Sequence, residues 1–173
     1  MPKHIIKDPL LFKKVSYETF YKAMKELTGA NDDFIEDCYN RLKLPKRATV
    51  GSAGYDFFSP FSFDLEPGQT ITIPTGIKIQ MPKTVFALGV PRSSYGFKYK
   101  MSLDNTVMIG DSDFYNNPKN EGHYMAKVTN HGNKTMEVNI GDAYMQCIFL
   151  PYLITDDDDT VDVRVGGIGS TGN

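Results

Sequence analysis

Apolar positions recur at helical spacing only in the first quarter of the chain. Tyr17, Phe20, Tyr21, Met24 and Leu27 share one face after Ser16, a residue suited to cap a helix N-terminus, and Gly29 closes the run. Phe34, Cys38 and Leu42, with Ile35 and Tyr39 beside them, form a second stripe, opened by Asp32 or Asp33 and stopped before Pro45. From Thr49 onward the period shortens. Strand-like runs at 55–58, 61–65, 70–73, 76–81, 85–90, 124–130, 135–139 and 144–151 are separated by turn residues. Pro67-Gly68 predicts a turn before a strand, and His131-Gly132-Asn133 predicts a hairpin between the strands on either side. Many short strands without a long helix among them predict an all-β domain, a sandwich, jelly roll or barrel, over 45–155. A helical extension covers 1–44. Its stripes suit packing on the chain's own domain, and docking of a protein partner on 1–44 is their second use.

Residues 156–173 fit neither pattern. Asp156 to Asp159 are four carboxylates in a row, without the alternating ligand spacing and glycine of a calcium-binding loop. They read as a solvated linker to a Gly-rich arm. The arm, Arg164-Val165-Gly166-Gly167-Ile168-Gly169-Ser170-Thr171-Gly172-Asn173, has almost nothing that could enter a core. Glycines let backbone amides approach an anion, while a guanidinium and hydroxyls add charge and donors, so the arm suits a phosphorylated ligand. Gly167, Gly169 and Gly172 match the spacing of a dinucleotide fingerprint, but that motif needs a preceding strand and a following helix.

Composition narrows the partners. The 173 residues carry a net charge of −2, with 40% hydrophobic and 23% charged residues, and the pI is about 5.9. No global field draws such a chain to nucleic acid or a membrane surface, so any polyanion it holds must be small and locally bound. No run approaches the ~20 apolar residues of a membrane span. Met1-Pro2-Lys3-His4 lacks the apolar core of a secretion signal, and Cys38 and Cys147 sit among apolar neighbours, as packed thiols do. These features predict a cytoplasmic protein.

Four polar clusters interrupt the β pattern. Ser52-Ala53-Gly54-Tyr55-Asp56 places small residues and a carboxylate at the start of a strand. Pro91-Arg92-Ser93-Ser94 follows a strand with one guanidinium and two hydroxyls, which suit phosphate oxygens. The segment Asn105 to Tyr115 carries Asp111 and Asp113 beside Phe114 and Tyr115. Gly141-Asp142 opens a strand containing Gln146, a polar residue in an apolar run. Taken with the arm and in this order, they resemble the five motifs of the trimeric deoxyuridine triphosphatase (dUTPase) family, bacterial or phage type. The resemblance runs from Leu44 to Asn173. Residues 116–123 look like an insertion carried by some members.

The resemblance implies a distorted jelly-roll β barrel and hydrolysis of dUTP to dUMP and pyrophosphate. This reaction keeps uracil out of DNA and supplies dUMP for thymidylate synthesis. It implies a homotrimer whose sites are shared, each covered by a neighbour's C-terminal arm, with no nucleic acid or membrane partner. Asp111 takes the place of the general base that activates water. Arg92, Ser93, Ser94, Gln146, Arg164, Gly169, Ser170 and Thr171 take the phosphate-binding positions. Asn105, Met108, Gly110, Phe114, Tyr115 and Ile168 take the nucleoside-binding positions. Asp56 would fix Arg92 or a metal-bound water, so that Mg2+ rides on the phosphates and meets the protein indirectly. Asp113 reads as a turn or ion-pair residue. The chain departs from the family pattern at Phe114, where tyrosine is usual, at Met108 and Gly110, where glycine and an aliphatic residue are usual, and at Ile168, in place of an aromatic. Two other readings compete. One is a dUTP-binding regulatory homologue acting through the added segments. The other is a dCTP deaminase, whose catalytic glutamate is absent here because Asp111 stands in the third motif.

Overall fold

Local signals place the N-terminal helices where the pattern predicts. Ser16 accepts a hydrogen bond from the Thr19 amide at 3.2 Å, opening α1 (Tyr17–Thr28), and Gly29 closes it in the left-handed region at φ 65°. Asn31 accepts from the Phe34 amide at 2.9 Å and caps α2 (Asp32–Arg41), so the cap lies one residue before the acids that read as its start. The structure is a computed structural model and describes residues 9–167.

The remainder is built of antiparallel strands. In chain order they are β1 (Leu11–Lys14), β2 (Tyr55–Phe58), β3 (Phe63–Leu65), β4 (Thr70–Pro74), β5 (Ile77–Gln80), β6 (Val85–Pro91), β7 (Ser102–Leu103), β8 (Met108–Gly110), β9 (Met125–Thr129), β10 (Met136–Val138) and β11 (Ala143–Pro151). A short helix, α3 (Ser93–Tyr99), and a 3-10 turn at Ser112–Phe114 interrupt them. The central sheet has the order β2-β11-β6-β8, a second has β4-β9-β7, and β3-β10 and β1-β5 are two-stranded. These sheets wrap into a distorted jelly-roll barrel, the all-β architecture expected.

The turn at His131–Asn133 does not make the expected hairpin. β9 pairs with β4 and β7, whereas β10 pairs with β3. Asn130 redirects the chain. Its buried side chain donates to the carbonyls of Leu65 at 2.7 Å and Lys134 at 2.9 Å and accepts from the Gly132 amide at 2.9 Å. Those bonds tie the turn to β3 and carry the next strand into another sheet.

The extension shares the barrel's core. Phe20, Met24, Ile35 and Cys38 are buried in the same cluster as Phe57, Ile73, Ile77, Ile79 and Met145. Burying one such large apolar side chain stabilises by about 1.5–3 kcal/mol. β1 pairs with β5 along its whole length, from Leu11 opposite Gln80 to Lys14 opposite Ile77. Leu42 packs over Gly76, which has a φ of 72°, and a Cβ there would lie 2.4 Å from Leu42 Cδ1. Tyr17, Leu27 and Phe34 stay partly exposed.

A carboxylate joins three distant segments. Glu121 accepts from the Ser16 amide at 3.2 Å, from the Ser16 hydroxyl, from Thr19 Oγ1 at 2.6 Å and from Lys78 Nζ at 2.8 Å. Burial pushes its carboxyl up, and the bonds from Lys78, Ser16 and Thr19 outweigh burial and hold it at about 2. Next to it, His123 is buried and its Nε2 accepts from the Gly76 amide at 2.8 Å. Burial holds its ring neutral, with a pKa of about 4. Among the described residues, no helix is long and apolar enough to cross a membrane.

Candidate functional site

The central sheet distributes the polar residues between two places. At one end of β6, Asp56 on β2 lies opposite Gln146 on β11, which also lies opposite Val90 on β6. The chain leaves β6 through Pro91 into Arg92, whose Nε lies 3.3 Å from Asp56 Oδ1. The Asp56 side chain is mostly buried and the Arg92 side chain half-exposed, so the carboxylate anchors the guanidinium from beneath and leaves its outer edge to solvent. Ser93 and Ser94 follow, both exposed, on the first turn of α3. Gly54 belongs to this cluster for a steric reason, since a Cβ there would lie 2.1 Å from Gln146 Oε1. Gly141 and Asp142 shape the turn into β11. Gly141 has a φ of 83°, and Asp142 Oδ2 accepts from the Asn139 amide at 2.9 Å.

The third cluster leaves the other end of β6. Gly110 on β8 pairs with Ala87, so Asp111 exits the sheet near Phe86. Arg92 lies six residues beyond Phe86 on β6, which puts ~20 Å between the two clusters at the rise of an extended strand. Asp111 precedes the 3-10 turn that holds Asp113 and Phe114. Arg164 of the arm meets all three. Its Nη2 lies 2.7 Å from Asp111 Oδ2, its Nε lies 2.8 Å from Asp113 Oδ1, and the guanidinium stands 5.8 Å from the centre of the Phe114 ring. The arginine side chain is only 11% exposed, while both carboxylates are about half exposed (52% and 53%), so the acids face solvent beside a covered cation. An open cleft of about 740 Å³ runs from these acids past Gln80, Tyr152 and Thr160.

Other sequence-singled residues are arranged around these clusters. Asn105 is exposed in a tight turn where the Thr106 amide bonds Leu103 O at 2.9 Å and Thr106 has a φ of 66°. Met108 is buried and packs on Gly89, where a Cβ would lie 2.7 Å from the methionine Cε. Phe114 is buried too, edge-on to Tyr124 at 5.1 Å between ring centres. The Tyr115 hydroxyl accepts from Lys13 at 3.0 Å, so the N-terminal strand reaches the rim of the cleft. Asp113, read as a turn or ion-pair residue, is both. Ile168, Gly169, Ser170 and Thr171 lie outside the described residues. Among the described residues, no three of His, Cys, Asp and Glu come together as a metal site.

Two residues that hold the surrounding frame have no mark in the sequence. Glu121 reads as part of an insertion, and Tyr124 reads as an apolar strand residue. Nothing in the local pattern marks either, because each acts through contacts with segments far away in the chain.

Comparison with known proteins bears on the whole arrangement. The dUTPase family model matches residues 40–172. A deoxyuridine 5'-triphosphate nucleotidohydrolase from Lactococcus lactis is 37% identical over 133 residues, 76% of this chain and 89% of that protein. One from Shewanella piezotolerans is 34% identical over 140 residues, 76% of this chain and 88% of its own length. Among solved structures, a dUTPase from Streptococcus mutans superposes with a TM-score of 0.63 and 31% identity, covering 84% of this chain and 98% of that one. A mutant dUTPase from phage phi11 of S. aureus, described with a structural Mg(II) ion, superposes with a TM-score of 0.61 at 16% identity, covering 90% and 98% of the two chains.

Proposed function

The chain belongs to the dUTPase family and is a dUTP diphosphatase, and from that premise we propose how its residues divide the hydrolysis of dUTP to dUMP and pyrophosphate. Water attacks the α-phosphorus. Its oxygen forms the new bond, its proton passes to Asp111, and the bond to the bridging oxygen of the β-phosphate breaks, so pyrophosphate leaves. A carboxylate is a weak base, so Asp111 contributes mainly by orienting the water and fixing its distance. Arg92, Ser93, Ser94 and Gln146 hold phosphate oxygens, and Asp56 keeps Arg92 extended toward them. Asn105, Met108 and Gly110 shape the uracil pocket, Phe114 and Tyr115 pack the sugar, and Ile168 of the arm covers the base. Arg164, Gly169, Ser170 and Thr171 close over the phosphates.

The observation that carries this reading is the meeting of Asp111 and Arg164 in the wall of one cleft, with the buried Phe114 ring behind the guanidinium. That contact also implies an order of events. In the free chain Arg164 neutralises the base, and a triphosphate draws the guanidinium away and frees the carboxylate. The ~20 Å between Asp111 and Arg92 exceeds the reach of one nucleotide's reacting centre, which supports a homotrimer in which different subunits supply the two clusters. A magnesium ion carried by the triphosphate would supply charge neutralisation at the phosphates, with Asp56 the residue placed to meet it through water. Asp56 has lone pairs beyond the one facing Arg92, and these suit a metal-bound water. Cys38 and Cys147 are free and buried, which fits a cytoplasmic enzyme. A protein partner on 1–44 would meet Tyr17, Leu27 and Phe34.

Pyrophosphate release from dUTP, UTP, dTTP and dCTP with magnesium tests the reading. Release from dUTP alone is expected, and Asp111→Asn should slow it at least ~10²-fold, the lower range for a lost general base. Undiminished release from Asp111→Asn would remove the carboxylate from the mechanism.

A further inference from the structure

We propose that Tyr124 is a positioning residue for Asp111, a shelf under the segment 110–114 whose hydroxyl takes the place of the side chain that Gly110 lacks. Three observations support this. A Cβ built on Gly110 would lie 2.3 Å from the Tyr124 hydroxyl oxygen and 3.0 Å from its Cε1 and Cζ. The hydroxyl therefore occupies the volume directly beneath the residue that precedes Asp111. Phe114, on the far side of the two acids, rests edge-on against the same ring at 5.1 Å. Both ends of the acidic segment thus lean on one side chain.

That side chain is held from the other direction. The Tyr124 amide donates to Ile77 O at 3.0 Å, and its carbonyl accepts from the Thr75 amide at 3.2 Å and from Thr75 Oγ1 at 2.7 Å. The ring is 4% exposed and its hydroxyl has no hydrogen-bond partner among the described residues. A phenylalanine would fill the core without burying an unpaired hydroxyl. The oxygen's contribution here is its volume, which sets how far β8 can settle toward the core. Burial comes first among the causes that raise the phenol's pKa, and the carboxylates of Asp111 and Asp113 add to it while Arg164 opposes them, so the hydroxyl lies within electrostatic reach of the cleft.

The test is a size exchange across the contact. Gly110→Ala collides with the hydroxyl and must lift β8. Displacing a catalytic group by about 1 Å can cost ~10²-fold in rate. Gly110→Ala is therefore expected to lower kcat 30-fold or more, and a change in KM for dUTP reports the uracil pocket that Gly110 borders, so the positioning role is read from kcat per site alone. In Gly110→Ala with Tyr124→Phe, the closest atom is gone, and at least tenfold of the lost kcat should return. Rates are scaled to active sites counted by titration with a non-hydrolysable dUTP analogue. Melting temperatures are recorded alongside. A purely structural role would lower melting and the number of sites and leave kcat per site unchanged. That result, or a double variant no faster than Gly110→Ala alone, overturns the proposal. The proposal rests on Asp111 as the base, and Asp111→Asn separates the two. Activity retained in Asp111→Asn overturns the base assignment. Activity lost there, with independent effects at 110 and 124, overturns only the positioning role.

Discussion

Replacing Glu121 by glutamine removes the charge on which α1, β5 and the 116–123 segment converge. The carboxyl normally titrates at 4.5 and here is held at about 2. At about 1.4 kcal/mol per pH unit, its ionised form contributes up to ~3 kcal/mol to stability. The side chain keeps 30% exposure, so solvent screens part of that, and a loss of ~1–3 kcal/mol is expected for Glu121→Gln at pH 7. For a chain of this length, that corresponds to about 3–10 °C in melting temperature. The pH dependence has a definite sign. The folded carboxyl binds its proton more weakly than the unfolded one, so its contribution is complete above pH 4.5 and disappears as the pH falls toward 2. Urea unfolding of parent and variant at pH 7, 4.5 and 3, at one protein concentration, measures the gap directly. The gap should be full at pH 7 and narrow at pH 3. No gap at pH 7, or one of equal size at pH 3, would refute the reasoning.

His123 gives a second window. Its folded pKa is about 4 against 6.5 unfolded, so the unfolded chain takes up a proton first, and stability falls as the pH drops from 6.5 to 4. In His123→Gln that slope should flatten in urea midpoints measured across the same range. Gly54→Ala should push the Gln146 amide aside and lower kcat/KM for dUTP by about 10–100-fold, the worth of one hydrogen bond to a charged group; an unchanged kcat/KM would exclude Gln146 from phosphate binding. Asp113→Asn weakens the hold on Arg164 in the free chain. Exposed pairs are worth up to ~1 kcal/mol, so KM for dUTP should fall by up to about fivefold, and a rise in KM would count against release of Arg164 by the nucleotide.

Much of this fold could be read in the sequence because its signals are local. Ser16 and Gly29 bracket α1 by caps that need no distant partner, Ile77-Lys78-Ile79-Gln80 alternates visibly, and 85–90 is a short apolar run bounded by turn residues. β1 escaped notice because Leu-Phe-Lys-Lys has no clear alternation and gains its partner, β5, some 66 residues later. α3 escaped because seven residues containing Gly96 are too short to show a period. The turn at 131–133 looked like a hairpin because its residues suit one. The buried Asn130 side chain, whose bonds join separate sheets, decided otherwise. At the site, the polar clusters were visible one by one. Their sorting to opposite ends of β6 depends on strand register, and the shelf under Gly110 depends on a tyrosine that sequence patterning counts as core.

The clasp on Glu121 also sets a timetable for synthesis. Ser16 leaves the ribosome 105 residues before the carboxylate it meets. At about 5–20 residues per second, that is a wait of ~5–20 s. During that interval Phe20, Met24, Ile35 and Cys38 have no complete barrel to cover them. The nascent chain therefore presents these apolar side chains to chaperones or to other nascent copies before it can bury them.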